Sequence, residues 1–454
     1  MREYSRTATL QGHNHGQYGR SDVMTSAASD TESPRILRRV ILGSVIGNGL
    51  EWFDFVSYGY FAGAISTTFF PGRYHLVLTW ATFAIGFVVR PVGGVLLGAY
   101  ADRYGRKNSL ALLIVMMAFG TLTLGVTPSY GAIGIAAPLI IVLGRIVQGI
   151  SIGGEYGNST ALLVEYAPPG RRMLFGSFQM SSQALGRVIA AGCALLVLTA
   201  LPASALHHGA WRIPFILGAL VGPFGFWVRY RLKESPEFRA LKDHTAIERA
   251  PIIEVVRHYW LPLICAIGLT IIGTALTYIW NTYLPIYVVK ELHLPLWEDL
   301  VGIMVTSGID IVVCAIGGML ADRFGAYRMF FLFTAISALI SYPFFAFVLA
   351  APGFERLIIA QLVVLTVMGL LQGSGPGLYA SMFPAAVRST GMAISYNLSV
   401  MIFGGFSPLT ITWLIAMTGN ALMPAYYIVA AGIASLVIVG STVGRVKRLV
   451  PATA

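Results

Sequence analysis

The sequence predicts an all-α integral membrane protein with about 12 transmembrane helices in two six-helix halves. Three observations predict this fold: the composition, a series of long apolar runs, and an internal repeat. Of the 454 residues, 56% are hydrophobic and only 11% are charged, whereas an ordinary soluble protein has about 25% charged residues. A chain with so few charged residues cannot cover a soluble surface of this size, so a lipid bilayer is its expected surroundings.

The apolar runs divide the chain into two sets of six. Each run is long enough to cross the ~30 Å hydrocarbon core of a bilayer, which takes about 20 residues. The first set lies at 40–69, 76–100, 108–128, 134–166, 172–200 and 211–231. The second set lies at 258–287, 299–321, 328–350, 354–383, 389–417 and 424–446.

Domain boundaries follow from the polar segments between and around these sets. The N-terminal half is expected to span 36–231, and the C-terminal half 258–448, with a linker at 232–257. Residues 1–35 are polar and contain no apolar core, which predicts a disordered tail and excludes a signal peptide. A short C-terminal tail follows at 449–454.

The two halves also repeat a motif. The segment "GAYADRYGRKNSL" (98–110) returns as "GGMLADRFGAYRMF" (317–330), so that Asp102 and Asp322 stand 220 positions apart. A duplicated six-helix unit is typical of secondary transporters built from parallel repeats, whose substrate site lies near the membrane midplane between the halves.

Basic residues fix the expected orientation. The gaps on the side of the amino terminus carry 24 Lys and Arg residues, and the opposite gaps carry four. Because cytoplasmic loops are enriched in Lys and Arg, both termini are expected in the cytoplasm, and the chain in the cell inner membrane. The basic residues are scattered over short loops and form no single basic face, which argues against nucleic-acid binding.

Several motifs resemble a known family. "RPVGGVLLGAYADRYGRK" resembles the loop motif of the major facilitator superfamily, and "LGRIVQGISIGGEYG" resembles its fourth-helix motif. "GNGLEWFDF", "LKESPEF" and "SYNLSVMIFGGFSPL" resemble its metabolite/proton symporter branch, which includes citrate, oxoglutarate, dicarboxylate and osmolyte symporters. The resemblance implies the major facilitator fold and import of a small organic metabolite driven by the proton gradient.

Charged residues are expected at one depth within the membrane. At a rise of ~1.5 Å per residue, Glu51, Arg145 and Asp310 lie about 16 Å into their spans, which is close to the midplane, and Arg187 lies slightly deeper. A charged side chain there costs roughly 2.5 to 3.5 kcal/mol on insertion scales. Such a layer of charges therefore requires partner charges or a water-filled cavity.

Four of the midplane residues are predicted to couple transport to protons. Glu51 and Asp54 are three positions apart and share a helix face, and a poorly solvated carboxyl group is protonated more easily than one in water. The predicted proton-coupling residues are Glu51, Asp54, Arg145 and Asp310. Static ion pairs with Arg145 or Arg90 are the alternative, in which these carboxylates are only structural.

A polar stripe on the fifth span predicts a substrate site. Gln179, Gln183 and Arg187 recur at intervals of four on an apolar helix, and Arg187 is a candidate clamp for a substrate carboxylate. The alternative is that Arg187 pairs with an acid such as Glu155. The predicted substrate-binding residues are Arg187, Gln179, Gln183, Arg90, Glu155, Tyr278, Asn281 and Asn397, of which the last three are equally consistent with packing.

The repeated loop motif is expected to act on conformation. Charges at the end of a span can bind the ends of neighbouring helices, and the family resemblance implies a latch that holds one access state. The predicted latch residues are Asp102, Arg103, Gly105, Arg106, Glu165, Arg172, Asp322 and Arg323. The alternative is that the basic residues only set the topology.

The predicted function is proton-coupled symport of a small organic anion, a di- or tricarboxylate, by alternating access. A zwitterionic osmolyte such as proline or betaine is the alternative, although the short carboxyl end does not fit an osmosensing type. A proton antiporter is less favoured. The family resemblance implies a Gly-Pro-rich motif in the fifth helix of drug/proton antiporters, and the fifth span "MLFGSFQMSSQALGRVIAAG" has no proline. The sequence shows no enzyme or metal motif, so the chain is expected to be a monomeric transporter whose only cofactor is the proton.

Overall fold

A computed structural model describes residues 34–72, 75–202, 204–205, 209–230 and 251–449. Every regular element in these ranges is helical. The long helices of the N-terminal half are α1 Pro34–Tyr60, α2 His75–Tyr104, α3 Arg106–Val126, α4 Ala136–Glu165, α5 Arg172–Ala200 and α6 Ile213–Tyr230. Those of the C-terminal half are α7 Trp260–Lys290, α8 Leu296–Phe324, α9 Ala326–Ala350, α10 Phe354–Ala380, α11 Arg388–Thr418 and α12 Met423–Leu449.

The prediction of an all-helical membrane fold is confirmed. Eleven helices within the described ranges, α2 to α12, are long and apolar enough to cross a membrane. Helix α1 has the required length but carries the polar residues Asn48, Glu51 and Asp54. Large apolar side chains such as Leu339 and Leu409 are exposed on the outside of the bundle, where lipid is their expected contact.

Shorter helices complete the chain. The helix Ala62–Phe69 continues from α1, Tyr130–Ile133 precedes α4, and a 3-10 turn at Ala210–Arg212 leads into α6. Residues 1–33 of the predicted tail lie outside the described residues, as do residues 231–250, which include most of the predicted linker at 232–257. The helix Pro251–His258 forms the end of the predicted linker and leads into α7.

The repeated motif makes the same turn in both halves. Gly105 joins α2 to α3 with a φ of 108°, and Gly325 joins α8 to α9 with a φ of 96°. Only glycine adopts such angles without strain. The motif therefore ends one helix, reverses the chain within one residue, and leaves the preceding aspartates, Asp102 and Asp322, at corresponding helix ends.

The two halves meet along two groups of helices. Helix α5 packs against α8 and α10, while α2 and α4 pack against α11. Two interruptions lie in the helices of the C-terminal half that face this interface: π-helical turns at Ile279–Tyr283 in α7 and at Val400–Gly405 in α11. Such turns are frequent at functional sites, and these two lie close to the central cavity described next.

Candidate functional site

A central cavity lies between the two halves. It contains about 390 Å³ of empty space. The lining residues are Trp52, Tyr156, Met180 and Gln183 from the N-terminal half and Thr270, Gly273, Thr274, Thr277, Tyr278, Gln372, Pro376, Tyr379 and Tyr396 from the C-terminal half. Five of these residues are aromatic, several carry neutral polar groups, and none of the lining residues is charged.

Tyr278 closes the cavity on the side away from the basic loops. Its ring lies 5.5 to 6.3 Å from the rings of Phe87, Phe55 and Trp52, so a side chain of one half is inserted into an aromatic cluster of the other. Arg90 donates a 3.2 Å hydrogen bond to the Tyr278 hydroxyl. Its guanidinium carbon lies 4.3 Å from the centre of the Phe87 ring, a cation–π distance that stabilises the cluster.

Beyond Tyr278 lies a larger space, which we name the outer cavity. It contains about 1040 Å³ of empty space between the end of α1, Phe83 of α2 and the second half of α7. Tyr60, Asn281, Lys290 and Leu296 are among its lining residues. The aromatic cluster around Tyr278 is thus a partition between the outer and central cavities.

A stacked pair of tyrosines forms the other wall. The rings of Tyr156 on α4 and Tyr396 on α11 are parallel to within 3° and their centres are 3.6 Å apart. The two side chains come from different halves and both line the central cavity. At the basic ends of the same helices, Glu165 lies nine residues after Tyr156 and Arg388 lies eight residues before Tyr396. Roughly 12 Å of protein therefore lies between the stack and the basic end.

The halves are joined at the basic end by two corresponding contacts. The carboxylate of Asp102 accepts hydrogen bonds from the backbone N–H groups of Ser389 (3.2 Å) and Thr390 (2.8 Å) at the start of α11. The carboxylate of Asp322 accepts bonds of 2.9 Å from the backbone N–H groups at the start of α5, those of Met173 and Leu174. Each aspartate thus binds the positive end of a helix dipole in the opposite half.

A further ion-pair network of described residues adds to the contact of Asp102. Glu165 accepts hydrogen bonds from Arg106 (3.1 Å) and from Arg388 (2.9 Å) of the other half. Arg106 also lies 3.3 Å from Asp102 and donates to the carbonyl of Ala385. In the second copy of the motif, Ala326 occupies the position of Arg106. The contact of Asp322 therefore lacks the matching guanidinium.

The other predicted latch residues lie around this network. Arg103 and Arg323 are exposed, and their guanidinium carbons lie over the neighbouring rings of Tyr104 and Phe324 at 5.4 and 5.3 Å. Arg172 is half-buried at the first residue of α5. The network brings together Asp102, Arg106 and Glu165 directly, whereas the exposed arginines point outward from it.

Asp54 lies inside the N-terminal half. Its carboxylate accepts hydrogen bonds from Arg145 (3.2 Å) and Gln148 (2.8 Å), and Gln148 also donates to Thr121. The Arg145 guanidinium carbon lies 3.9 Å from the centre of the Tyr58 ring. Both side chains of this ion pair are buried, and the pair faces α3 and α4, not the central cavity.

Glu51 lies closer to the central cavity. Together with Glu155 it lines a small space between α1, α3 and α4, and it interacts electrostatically with Tyr278 and Tyr396, two residues of the cavity wall. Of the two carboxylates that share this face of α1 in the sequence, Glu51 is therefore the one whose charge acts on the cavity.

Arg187 and Asp310 form an ion pair between the halves. The Arg187 guanidinium donates a 2.7 Å hydrogen bond to Asp310 and a 3.2 Å bond to Ser307, both on α8. Its carbon lies 5.6 Å from the centre of the Trp52 ring. Arg187 thus pairs with an acid, as in the sequence-based alternative, and that acid is Asp310.

The remaining predicted residues have varied surroundings. Gln183 lines the central cavity and hydrogen-bonds to no other described residue. The side-chain oxygen of Gln179 accepts a bond from Ser159, and Asn281 donates to the carbonyl of Thr277. Asn397 donates to the carbonyls of Gly153 (2.6 Å) and Ala393, so its amide joins α4 to α11 and is committed to packing.

Part of the cavity wall was not predicted. Thr270, Thr274 and Thr277 recur at helical spacing along α7 and line the cavity, and Gln372 donates a 2.6 Å hydrogen bond to Thr277. A stripe of threonines on an apolar helix is the same signal as the glutamine stripe of the fifth span. This stripe is visible in the sequence and would have indicated the wall.

Similarity to known proteins identifies the family. The family model described as Major Facilitator Superfamily matches residues 45–408. The chain belongs to this superfamily. It is therefore a multi-pass membrane transporter and not an enzyme, as the sequence predicts.

Relatives within the superfamily are named for two different kinds of substrate. The glycine betaine/proline/ectoine/pipecolic acid transporter OusA of Dickeya dadantii is 34% identical, over 88% of this chain and 82% of that protein. The citrate-proton symporter of Klebsiella pneumoniae is 33% identical, over 87% of this chain and 89% of that protein. The percentage of sequence identity therefore does not decide between these two kinds of substrate for this chain.

A solved structure shares the fold. The proton:xylose symporter XylE bound to 6-bromo-6-deoxy-D-glucose superposes with a TM-score of 0.76. It is 18% identical, and the match covers 91% of this chain and 96% of that chain. At this identity the similarity supports the twelve-helix arrangement in two halves.

Proposed function

We propose that this transporter imports a small zwitterion with a substituted ammonium group, such as betaine or proline, together with protons. The observation that carries the proposal is the central cavity, whose wall contains five aromatic side chains and no charged one. Aromatic faces attract substituted ammonium groups by cation–π interaction. The relatives named as betaine and proline transporters support the same substrate class.

The single carboxylate of such a zwitterion has suitable partners. Gln183 faces the cavity with its amide unengaged by the described residues, and the Tyr278 hydroxyl is polarised by the Arg90 guanidinium behind it. A carboxylate that accepts two or three hydrogen bonds is well solvated by neutral donors. A di- or tricarboxylate would bring two or three charges to a wall that has no charged residue, and Arg187, which lies outside this wall, is already paired with Asp310.

The proposed transport cycle follows from the contacts between the halves. The positive-inside rule places the basic end in the cytoplasm of the cell, and this end is closed by Asp102, Asp322 and the Glu165 network. The substrate enters from the outer cavity past Tyr278. Release requires that the Tyr156–Tyr396 stack and the contacts of the basic end open as the two halves rock.

The test is uptake into proteoliposomes with an imposed inside-alkaline pH gradient. Labelled betaine, proline, citrate, oxoglutarate and succinate are compared at equal concentration, and the external pH is recorded. Accumulation of betaine or proline with external alkalinisation is expected. Accumulation of the carboxylates alone would contradict the zwitterion proposal and would favour the di- or tricarboxylate expected from the sequence.

Replacing Tyr156 tests the aromatic wall. Tyr156→Leu is expected to weaken binding of betaine by about 0.5 to 2 kcal/mol, the worth of one cation–π contact, which is a two- to thirtyfold rise in Kd. Tyr156→Phe keeps the ring and should restore affinity. Binding is measured by calorimetry on purified protein, and equal affinity of the two variants would show that the ring has no part in recognition.

Replacing Asp102 tests the closure of the basic end. Asp102→Asn removes the charge that binds the N-terminus of α11 and is expected to destabilise the closed state by about 1 to 2 kcal/mol. Asp322→Asn is the matched variant, because it removes the corresponding charge from the contact without the arginine network. Distances between spin labels at Asn108 and Arg328, which are exposed on opposite halves, should lengthen in both variants. Unchanged distances would exclude a latch.

A further inference from the structure

Asp299 is a buried carboxyl group to which the mechanism above gives no role. It lies in the first turn of α8 and is fully buried. One carboxyl oxygen accepts a 2.8 Å hydrogen bond from the Gln361 amide of α10. The other oxygen is buried and has no hydrogen-bond partner among the described residues.

The surroundings of Asp299 differ from those of four other buried carboxylates among the described residues. Each of those is held by a guanidinium: Asp54, Asp102, Glu165 and Asp310. Asp299 has only the neutral amide of Gln361. A carboxylate buried without a cation is strongly disfavoured, and such a group holds a proton instead.

Among the described residues, the groups that face Asp299 do not provide a free cation. Helix α5 contributes Arg187, which is paired with Asp310, and α1 contributes Tyr60, which interacts electrostatically with both Asp299 and Arg187. On α7, Lys290 is exposed, as is Glu355 on α10. Arg356 of α10 donates to the carbonyl of Phe347 on α9. Glu298, the neighbouring acid on α8, is itself partly exposed.

Asp299 also lies at the start of a polar path. Tyr60 of α1 lines the outer cavity, and so does Leu296, which lies one turn before Asp299 on α8. On α8, the buried polar side chains Thr306, Ser307 and Asp310 follow at helical spacing from Asp299. This stripe leads from the outer cavity to the ion pair that joins the two halves.

We propose that Asp299 is a proton-binding site of the transport cycle, loaded from the outer cavity while the basic end is closed and emptied when the halves rearrange. The proposal rests on the proposed proton-coupled function. It adds a carboxyl group near the outer end of α8 to the four proton-coupling residues that the sequence predicts. Gln361 is its positioning partner.

The first measurement does not depend on any substrate. Infrared difference spectra of the purified protein between acidic and alkaline pH report protonated carboxyl groups by their C=O stretching band. Asp299→Asn is expected to remove one component of this band. Glu254→Gln is the matched control, because it replaces a carboxyl group on the helix Pro251–His258 that pairs with the exposed His258, and it should leave the component assigned to Asp299 in place. If Asp299→Asn is unstable, Gln361→Leu replaces it, and the component should then persist to higher pH.

The second measurement links this proton to transport. With the membrane potential clamped at zero and a pH gradient of one unit, the loss of one coupled proton lowers the steady-state accumulation of betaine about tenfold, while betaine exchange without a gradient continues. A band unaffected by Asp299→Asn, or accumulation equal to that of the wild type, would overturn the proposal. If the wild type transports no betaine, the function proposed above fails, and the infrared result still decides whether Asp299 binds a proton.

Discussion

Asp310→Asn is expected to abolish uptake and to lower the stability of the transporter. Arg187 is almost fully buried, and its guanidinium nitrogen lies 2.7 Å from a carboxylate oxygen of Asp310. Removing one partner of a buried ion pair leaves an uncompensated charge, which typically costs about 3 to 5 kcal/mol. The pair joins α5 to α8, so the loss falls on the interface at which the two halves move. Thermal unfolding in detergent and uptake into proteoliposomes measure the two effects.

The double variant Arg187→Gln/Asp310→Asn is the matched control. It removes both charges and leaves a neutral pair that can still hydrogen-bond, so most of the lost stability should return. If the ion pair also controls transport, uptake stays low in this variant although the protein is stable. Recovery of both stability and uptake would show that the pair is only structural. A stable Asp310→Asn variant with normal uptake would show that the ion pair contributes neither to stability nor to transport.

The fold was predictable because each of its determinants is local in the sequence. A run of apolar residues of sufficient length forms a spanning helix wherever it occurs, and the repeated motif shows that the second half copies the first. The aspartates of this motif, Asp102 and Asp322, were expected at helix ends for the same reason. Their partners, the first N–H groups of α11 and α5, follow from the arrangement of the halves and not from the motif.

The partners of the buried charges were less predictable. Counting residues along a helix gives the depth of a side chain but not the direction in which it points around the bundle. Arg187, Asp310 and Glu155 share a layer in the sequence, and only the packing of α5 against α8 selects Asp310. The same uncertainty applied to Asp54 and Glu51, since a small rotation of α1 decides which carboxylate faces the cavity.

The aromatic wall was predicted only in part, for a related reason. Tyr278 was among the predicted substrate-binding residues, but Tyr156 and Tyr379 lie on α4 and α10, and buried aromatic residues in a helix bundle are most often packing residues. Their common cavity appears only when the halves are brought together. The expectation of a carboxylate substrate depended on the number of midplane arginines. Arg187 and Arg145 prove to be paired with acids, which weakens that argument.

Glu51→Gln and Asp54→Asn should therefore have different effects. Glu51 acts electrostatically on Tyr278 and Tyr396 in the wall of the cavity, so we expect it to exchange its proton as substrate binds. Glu51→Gln should preserve exchange of betaine between the two sides but lower accumulation about tenfold at a pH gradient of one unit. Asp54→Asn leaves the buried Arg145 without its anion and should mainly lower stability, by about 3 to 5 kcal/mol.

Exchange and accumulation in the same proteoliposomes separate these effects, because exchange requires binding and movement of the halves but no proton gradient. If Asp54→Asn loses accumulation while it remains stable and exchanges substrate, Asp54 is the carrier and the assignment to Glu51 is wrong. If each of Glu51 and Asp299 carries one proton, the variant Glu51→Gln/Asp299→Asn should exchange substrate and accumulate none. Residual accumulation in that variant would require a third carboxyl group, and Asp310, which joins the halves through Arg187, would be the next to replace.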